Sequence, residues 1–107
     1  MRRLIVLLLL CGTACTHVRR SPSTECAGDA SLLSGQVVDR AGRPQAHARL
    51  LLFADEGDVG IPAQTDGDGR FSYGCVGPAD YHINIGASSQ AVHVGRHERV
   101  DVRLRVW

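Results

Sequence analysis

Five histidines and four cysteines are the side chains of this chain best suited to chemistry. Imidazole is a common ligand of zinc and copper, and His82, His93 and His97 fall on or beside strand-like stretches that a sheet could bring together. Scattered surface histidines are the plainer reading, because His93 and His97 straddle the Gly95-Arg96 turn and no H-E-x-x-H spacing occurs. No resident metal or other cofactor is expected, and these three are the candidate ligands if one is held. His47 follows a turn and reads as an ordinary exposed residue. The run Asp66-Gly67-Asp68-Gly69 suggests calcium, yet an EF-hand loop would need an oxygen ligand where Arg70 stands and a glutamate at its end. Two Asp-Gly pairs suit a tight hairpin instead. No nucleophile, base and orienting group are spaced as a catalytic set, so the chain is not expected to be an enzyme.

The cysteines sort by position. Arg2 and Arg3 precede the apolar run Leu4 to Leu10, and the small residues Gly12-Thr13-Ala14 lead to Cys15, which is the order of an export signal. The apolar run is far shorter than the ~20 residues of a membrane-spanning helix. Residues 1–14 are therefore expected to be a signal peptide. The pair Ala14-Cys15 resembles the end of a bacterial lipobox, where a small residue precedes the cysteine that is acylated and becomes the mature N-terminus. That resemblance implies a lipid on Cys15 and a membrane as partner through the anchor, since several acyl chains hold a protein that one chain holds only marginally. Gly12 departs from the usual leucine, and an ordinary secretory cleavage near Ala14 is the alternative. Thr16, by resemblance to Gram-negative sorting signals, points to the outer membrane and a domain facing the periplasm. With Cys11 removed and Cys15 lipidated, one pair remains in an oxidising compartment. A disulfide between Cys26 and Cys75 is the economical expectation, with two unpaired buried thiols as the alternative.

At 107 residues the chain allows one domain, small enough to gain from such a staple. Its 12 basic residues, all arginine, face 11 acids, and 44% of residues are hydrophobic, which excludes wholesale disorder. Along the sequence the arginines are scattered rather than clustered, so no nucleic-acid footprint is expected. Residues 15–31 are polar, contain Pro22 and lack hydrophobic periodicity before Leu32. They read as a tether holding the domain off the membrane.

From residue 32 to 107 the elements that must position any site are strands. Leu33, Gly35 and Val37 alternate with Ser34 and Gln36, and the chain then turns through Gly42-Arg43-Pro44. Ala48 to Ala54 is nearly continuous in apolar residues and reads as a strand covered on both faces. A short strand at Ala63-Gln64-Thr65 leads into the Asp-Gly hairpin and the strand Arg70 to Tyr73. Tyr81, Ile83 and Ile85, then Val92 and Val94, then Val100, Val102, Leu104 and Val106 give three more strands with those side chains inward. Seven short strands with turns between them and no helical stretch predict an all-β antiparallel sandwich. Trp107, just past the last strand, is expected to cap the core, with a partner contact as the other reading.

Ser34 to Asp39, Gly42-Arg43-Pro44, Ala48 to Phe53, Thr65 to Phe71 and Gly77 to Tyr81 resemble, in order, the signatures of the carboxypeptidase regulatory-like domain. The resemblance implies a transthyretin-like Greek-key sandwich. Members of that fold group do many different things, so fold alone does not carry function. The expected role is a non-catalytic envelope lipoprotein whose sandwich binds a protein or a glycan. A histidine-based metal module and a hydroxyisourate-hydrolase-like enzyme are the alternatives, and the last lacks its C-terminal Tyr-Arg-Gly-Ser: this chain ends Leu104-Arg105-Val106-Trp107.

Overall fold

The computed structural model describes residues 17–57 and 59–106. The expected signal peptide, Cys15 and Trp107 lie outside the described residues. Within them the chain forms β1 (His17–Pro22), β2 (Ser31–Val38), β3 (Arg49–Ala54), β4 (Ile61–Gln64), β5 (Arg70–Val76), β6 (Ala79–Ile85), β7 (Ser88–Val94) and β8 (Glu98–Arg105). Two four-stranded sheets result, the first ordered β1-β8-β2-β5 and the second β4-β3-β6-β7. Leu33 and Val37 of β2, Phe71 of β5 and Val100, Val102 and Leu104 of β8 pack from the first sheet against Leu50, Leu52, Ile83, Val92 and Val94 of the second. These are the positions that alternation turns inward, so the core follows directly from the period-two pattern.

The expected sandwich is present, with three differences of detail. The seven expected strands are β2 to β8, and the eighth, β1, lies in the segment expected to be a free tether. All six of its residues are exposed, and it is held by antiparallel pairing to β8 from His17↔Arg103 to Pro22↔Glu98. An edge strand wet on both faces has no hydrophobic period to read. Secondly, β2 and β8 run parallel, Leu32↔Arg99 to Val38↔Arg105, so the sheets are not wholly antiparallel. Thirdly, β3 is covered on one face alone: Leu50 and Leu52 are buried, whereas Leu51 is 42% exposed on the outside of the second sheet. Continuous apolar character therefore marks an uncovered patch here rather than a doubly covered strand.

One pentapeptide turn is used twice. In Asp39-Arg40-Ala41-Gly42-Arg43 the Asp39 Oδ1 accepts from the Ala41 and Arg43 amides, both at 2.9 Å. In Asp66-Gly67-Asp68-Gly69-Arg70 the Asp66 Oδ1 accepts from the Asp68 and Arg70 amides at 2.9 and 3.0 Å. The fourth residue takes φ of 85° at Gly42 and 74° at Gly69, which glycine adopts without steric cost. Asp66 is thus occupied by its own turn. Amide donation, from Arg43 to Asp39 and from Arg70 to Asp66 before all else, holds both carboxyls below their ordinary value of 3.8. A depressed folded-state pKa stabilises above the unfolded value and the contribution is lost as pH falls through the depressed one. The urea midpoint of the wild type should therefore fall between about pH 5 and pH 2 more steeply than that of Asp39→Asn/Asp66→Asn, which keeps the acceptors but does not titrate. Equal slopes would refute the assignment.

Candidate functional site

Cys26, in the loop after β1, and Cys75, on β5, form a disulfide across 49 residues of sequence. Cys26 is buried and Cys75 is opposite Leu32 of β2, so the bond joins the β1–β2 loop to the far edge of the first sheet. A bonded pair supplies no thiolate for nucleophilic or ligand chemistry.

The second sheet turns polar chemistry outward from adjacent strands. His82 on β6 and His93 on β7 lie on its outer face, each donating from Nδ1–H to a carboxylate: His82 to Asp55 at 3.2 Å and His93 to Asp80 at 2.6 Å. The His82 ring also stacks on Phe53, centroids 5.2 Å apart and planes 12° from parallel, and Ala91 stands across from it on β7. His97 is elsewhere, at the β7–β8 turn, with Nε2 3.5 Å from Asp29. The three candidate ligands are not brought together. Among the described residues no group of three or more His, Cys, Asp or Glu side chains is arranged to hold a metal ion. His47 is exposed, as expected.

Further along the same outer face, β4, β3 and β6 put Pro62, Leu51 and Asn84 in one row. They line a shallow depression of about 730 Å³ with Arg49, Gln64 and Gly86. Leu51 exposes apolar surface there, and the Asn84 Oδ1 is buried with no hydrogen-bond partner among the described residues. An apolar group beside an unsatisfied acceptor is the composition of a recognition surface, in which a partner covers the one and donates to the other. Tyr73, the other described residue with a buried, unpartnered polar atom, is different in kind. Burial pushes its hydroxyl up to about 12, so it stays protonated and serves neither as base nor as nucleophile near neutrality.

The first sheet holds what the linear sequence hid. Its outer face carries Arg19 on β1, Arg70 on β5, and Arg99, Arg103 and Arg105 on β8. Asp101 is the one acid its described strands turn to that side; it accepts from Arg70 Nη2 at 3.0 Å and from the Ser34 hydroxyl at 3.4 Å. Arg99 reaches Glu25 at 2.7 Å. The arginines are thus clustered in space, against the expectation of scatter, because pairing stacks residues 19, 70, 99 and 103 from three distant segments. No period in the sequence records that; register alone does.

With this geometry in place, the family can be assigned. The model of the carboxypeptidase regulatory-like domain matches residues 33–105. The chain belongs to that family. In this regulatory-like domain the signature residues are fold devices. Thr65 is buried, donates from Oγ1 to the Gln45 carbonyl at 2.6 Å and accepts from the Ala48 amide at 2.8 Å, fixing the entry to β3. Tyr81 donates its hydroxyl to the Gly77 carbonyl at 2.7 Å and so pins the Gly77-Pro78 passage between the sheets. None of the curated proteins matches this chain. Two of the solved structures similar to this chain are dioxygenases. Catechol 1,2-dioxygenase from Pseudomonas arvilla C-1 is 14% identical with a TM-score of 0.49, the match covering 78% of this chain and 53% of that one. 3-Chlorocatechol 1,2-dioxygenase from Rhodococcus opacus 1CP is 15% identical with a TM-score of 0.49, covering 80% and 64%. The chain thus spans just over half to under two thirds of those enzymes, and nothing of their activity transfers at this level of likeness.

Proposed function

We propose that this regulatory-like domain is a non-catalytic binding module of a bacterial envelope, exported by residues 1–14 and anchored through a lipid on Cys15. It faces the periplasm from the outer membrane and presents the outer face of its second sheet to a protein or a glycan. The observation that carries the binding role is the depression around Leu51 and Asn84, where exposed apolar surface adjoins an acceptor lacking its donor. The polar groups nearby serve recognition rather than turnover: each histidine of this face is held by its own aspartate, and Phe53 and Ala91 flank His82. Edge strand β4 carries Pro62, which cannot donate to an added strand, so at the edge beside the depression the side chains of the face, not strand addition, serve recognition.

A photo-crosslinking residue at Gln64, on the rim of the depression, should capture one reproducible envelope component in intact cells. Leu51→Arg in the same chain should abolish the adduct. No adduct, or an adduct indifferent to Leu51→Arg, refutes the binding face. The anchor is tested separately by mass spectrometry of the native protein, which should find Cys15 N-terminal and acylated; an unmodified N-terminus would remove it.

A further inference from the structure

The arginine face of the first sheet has its own reading. We propose that it docks on the phosphate headgroups of an anionic bilayer, so that the domain lies flat on the membrane instead of hanging from a tether. This rests on the anchor reading above, from which it takes its geometry.

The length of chain outside the structure is the first argument. Cys15 stands two residues before His17, the first residue of β1, and two residues span about 7 Å at most. A lipid on Cys15 therefore brings the His17 end of β1 to the headgroup layer. His17 belongs to the row His17–Arg103–Gln36–Arg70 that runs across all four strands of the first sheet. With Arg19 and Asp101 these residues line a depression of about 440 Å³, the size of a few headgroup oxygens and their waters. Charge complementarity is the second argument. Arg19, Arg103 and Arg105 have no acid partner among the described residues, whereas Arg70 and Arg99 have theirs. Guanidinium binds phosphate with two parallel N–H bonds and is shed from water more readily than ammonium, so unpaired arginines on a flat sheet suit a phosphate layer. The opposite sheet turns Asp80 outward, with Asp55 just past β3 beside it, against a single arginine, Arg49, which disfavours the inverted orientation. Flat docking also leaves the Leu51 depression pointing away from the membrane, free for a partner.

Each arginine near an anionic surface favours the docked state about five-fold, so Arg19→Gln/Arg103→Gln should lower the ratio of docked to undocked protein about 25-fold. The matured full chain with its anchor is reconstituted in phosphatidylcholine vesicles with and without phosphatidylglycerol. A fluorescent amino acid is placed at Ser72, on the arginine face, or at Ser89, on the opposite face, and a quencher is attached to the lipid headgroup. Quenching is expected at Ser72 alone, in phosphatidylglycerol vesicles, and lost with the double substitution or in high salt. Equal quenching at both positions, or quenching at Ser72 that ignores salt and substitution, overturns the docking while leaving the anchor intact. Failure to sediment with either vesicle sinks both readings together. Binding of soluble polyphosphate without any preference of face on vesicles would assign the arginines to a soluble polyanion and overturn the membrane as their partner.

Discussion

Serine at both Cys26 and Cys75 is expected to lower stability by about 4 kcal/mol, the loop-closure entropy that a crosslink across roughly 50 residues removes from the unfolded chain. The bond spans 49 residues and ties the loop after β1 to β5, the opposite edge strand of the first sheet. For a domain of this size the total is of order 5–15 kcal/mol, so the variant should sit near the limit of folding at growth temperature. Urea unfolding checks it: the midpoint should drop, and the slope should rise slightly because the unfolded chain is less compact without the crosslink. The loss should not be uniform. β1 buries no side chain and depends on backbone pairing with β8 and on this covalent tie a few residues later, so its amides should exchange first. A double variant within about 1 kcal/mol of wild type, or one with β1 as protected as before, would refute this account.

What the sequence made legible follows from where physics writes a period. β6 and β8 each bury the central residues of one face, and Tyr81, Ile83, Val100, Val102 and Leu104 could be placed inward by counting in twos. The turns were legible because their chemistry is local: an aspartate, a glycine three residues later and an arginine after it need no distant partner. β1 was not legible, since pairing of backbone to backbone leaves no trace in side-chain type. β3 misled for the opposite reason. Its Leu51 has the character of a core residue and stands on an outer face, where it belongs to the candidate binding surface rather than to the core.

The site residues divide in the same way. Cys26 and Cys75 could be paired by elimination, but the spatial meeting of Arg19, Arg70, Arg99 and Arg103 depends on the parallel union of β2 with β8, a contact between nearly the first strand and the last. Register converts a chain of scattered charge into a sandwich with five arginines against Asp101 outside one sheet and Asp80, with Asp55 beside it, against Arg49 outside the other. The two polarities carry separate proposals for that reason, one for the membrane and one for a partner.

The parallel union is tightest at one residue, and Gly35→Ala is expected to strain it. Gly35 lies on β2 between Phe71 of β5 and Val102 of β8, paired with both. A Cβ there would overlap the Val102 carbonyl oxygen and stand 2.7 Å from Phe71 Cζ, closer than real Cβ atoms come. The ring could shift, since it is a side chain; the carbonyl could not, since it belongs to the neighbouring strand. Overpacking a core costs typically 1–3 kcal/mol with side-chain and backbone shifts together, so a loss at the top of that range, about 3 kcal/mol, is expected where a neighbouring strand's carbonyl must move. The urea midpoint measures it, with Gly77→Ala as control, because a Cβ at Gly77 meets nothing within 4 Å. Phe71→Leu in the same chain should return only part of the loss, the part owed to the ring, while the strain against Val102 remains. A Gly35→Ala protein as stable as its Gly77→Ala counterpart would mean that β2 and β8 are not held in this register, and the arginine face would lose the pairing that assembles it.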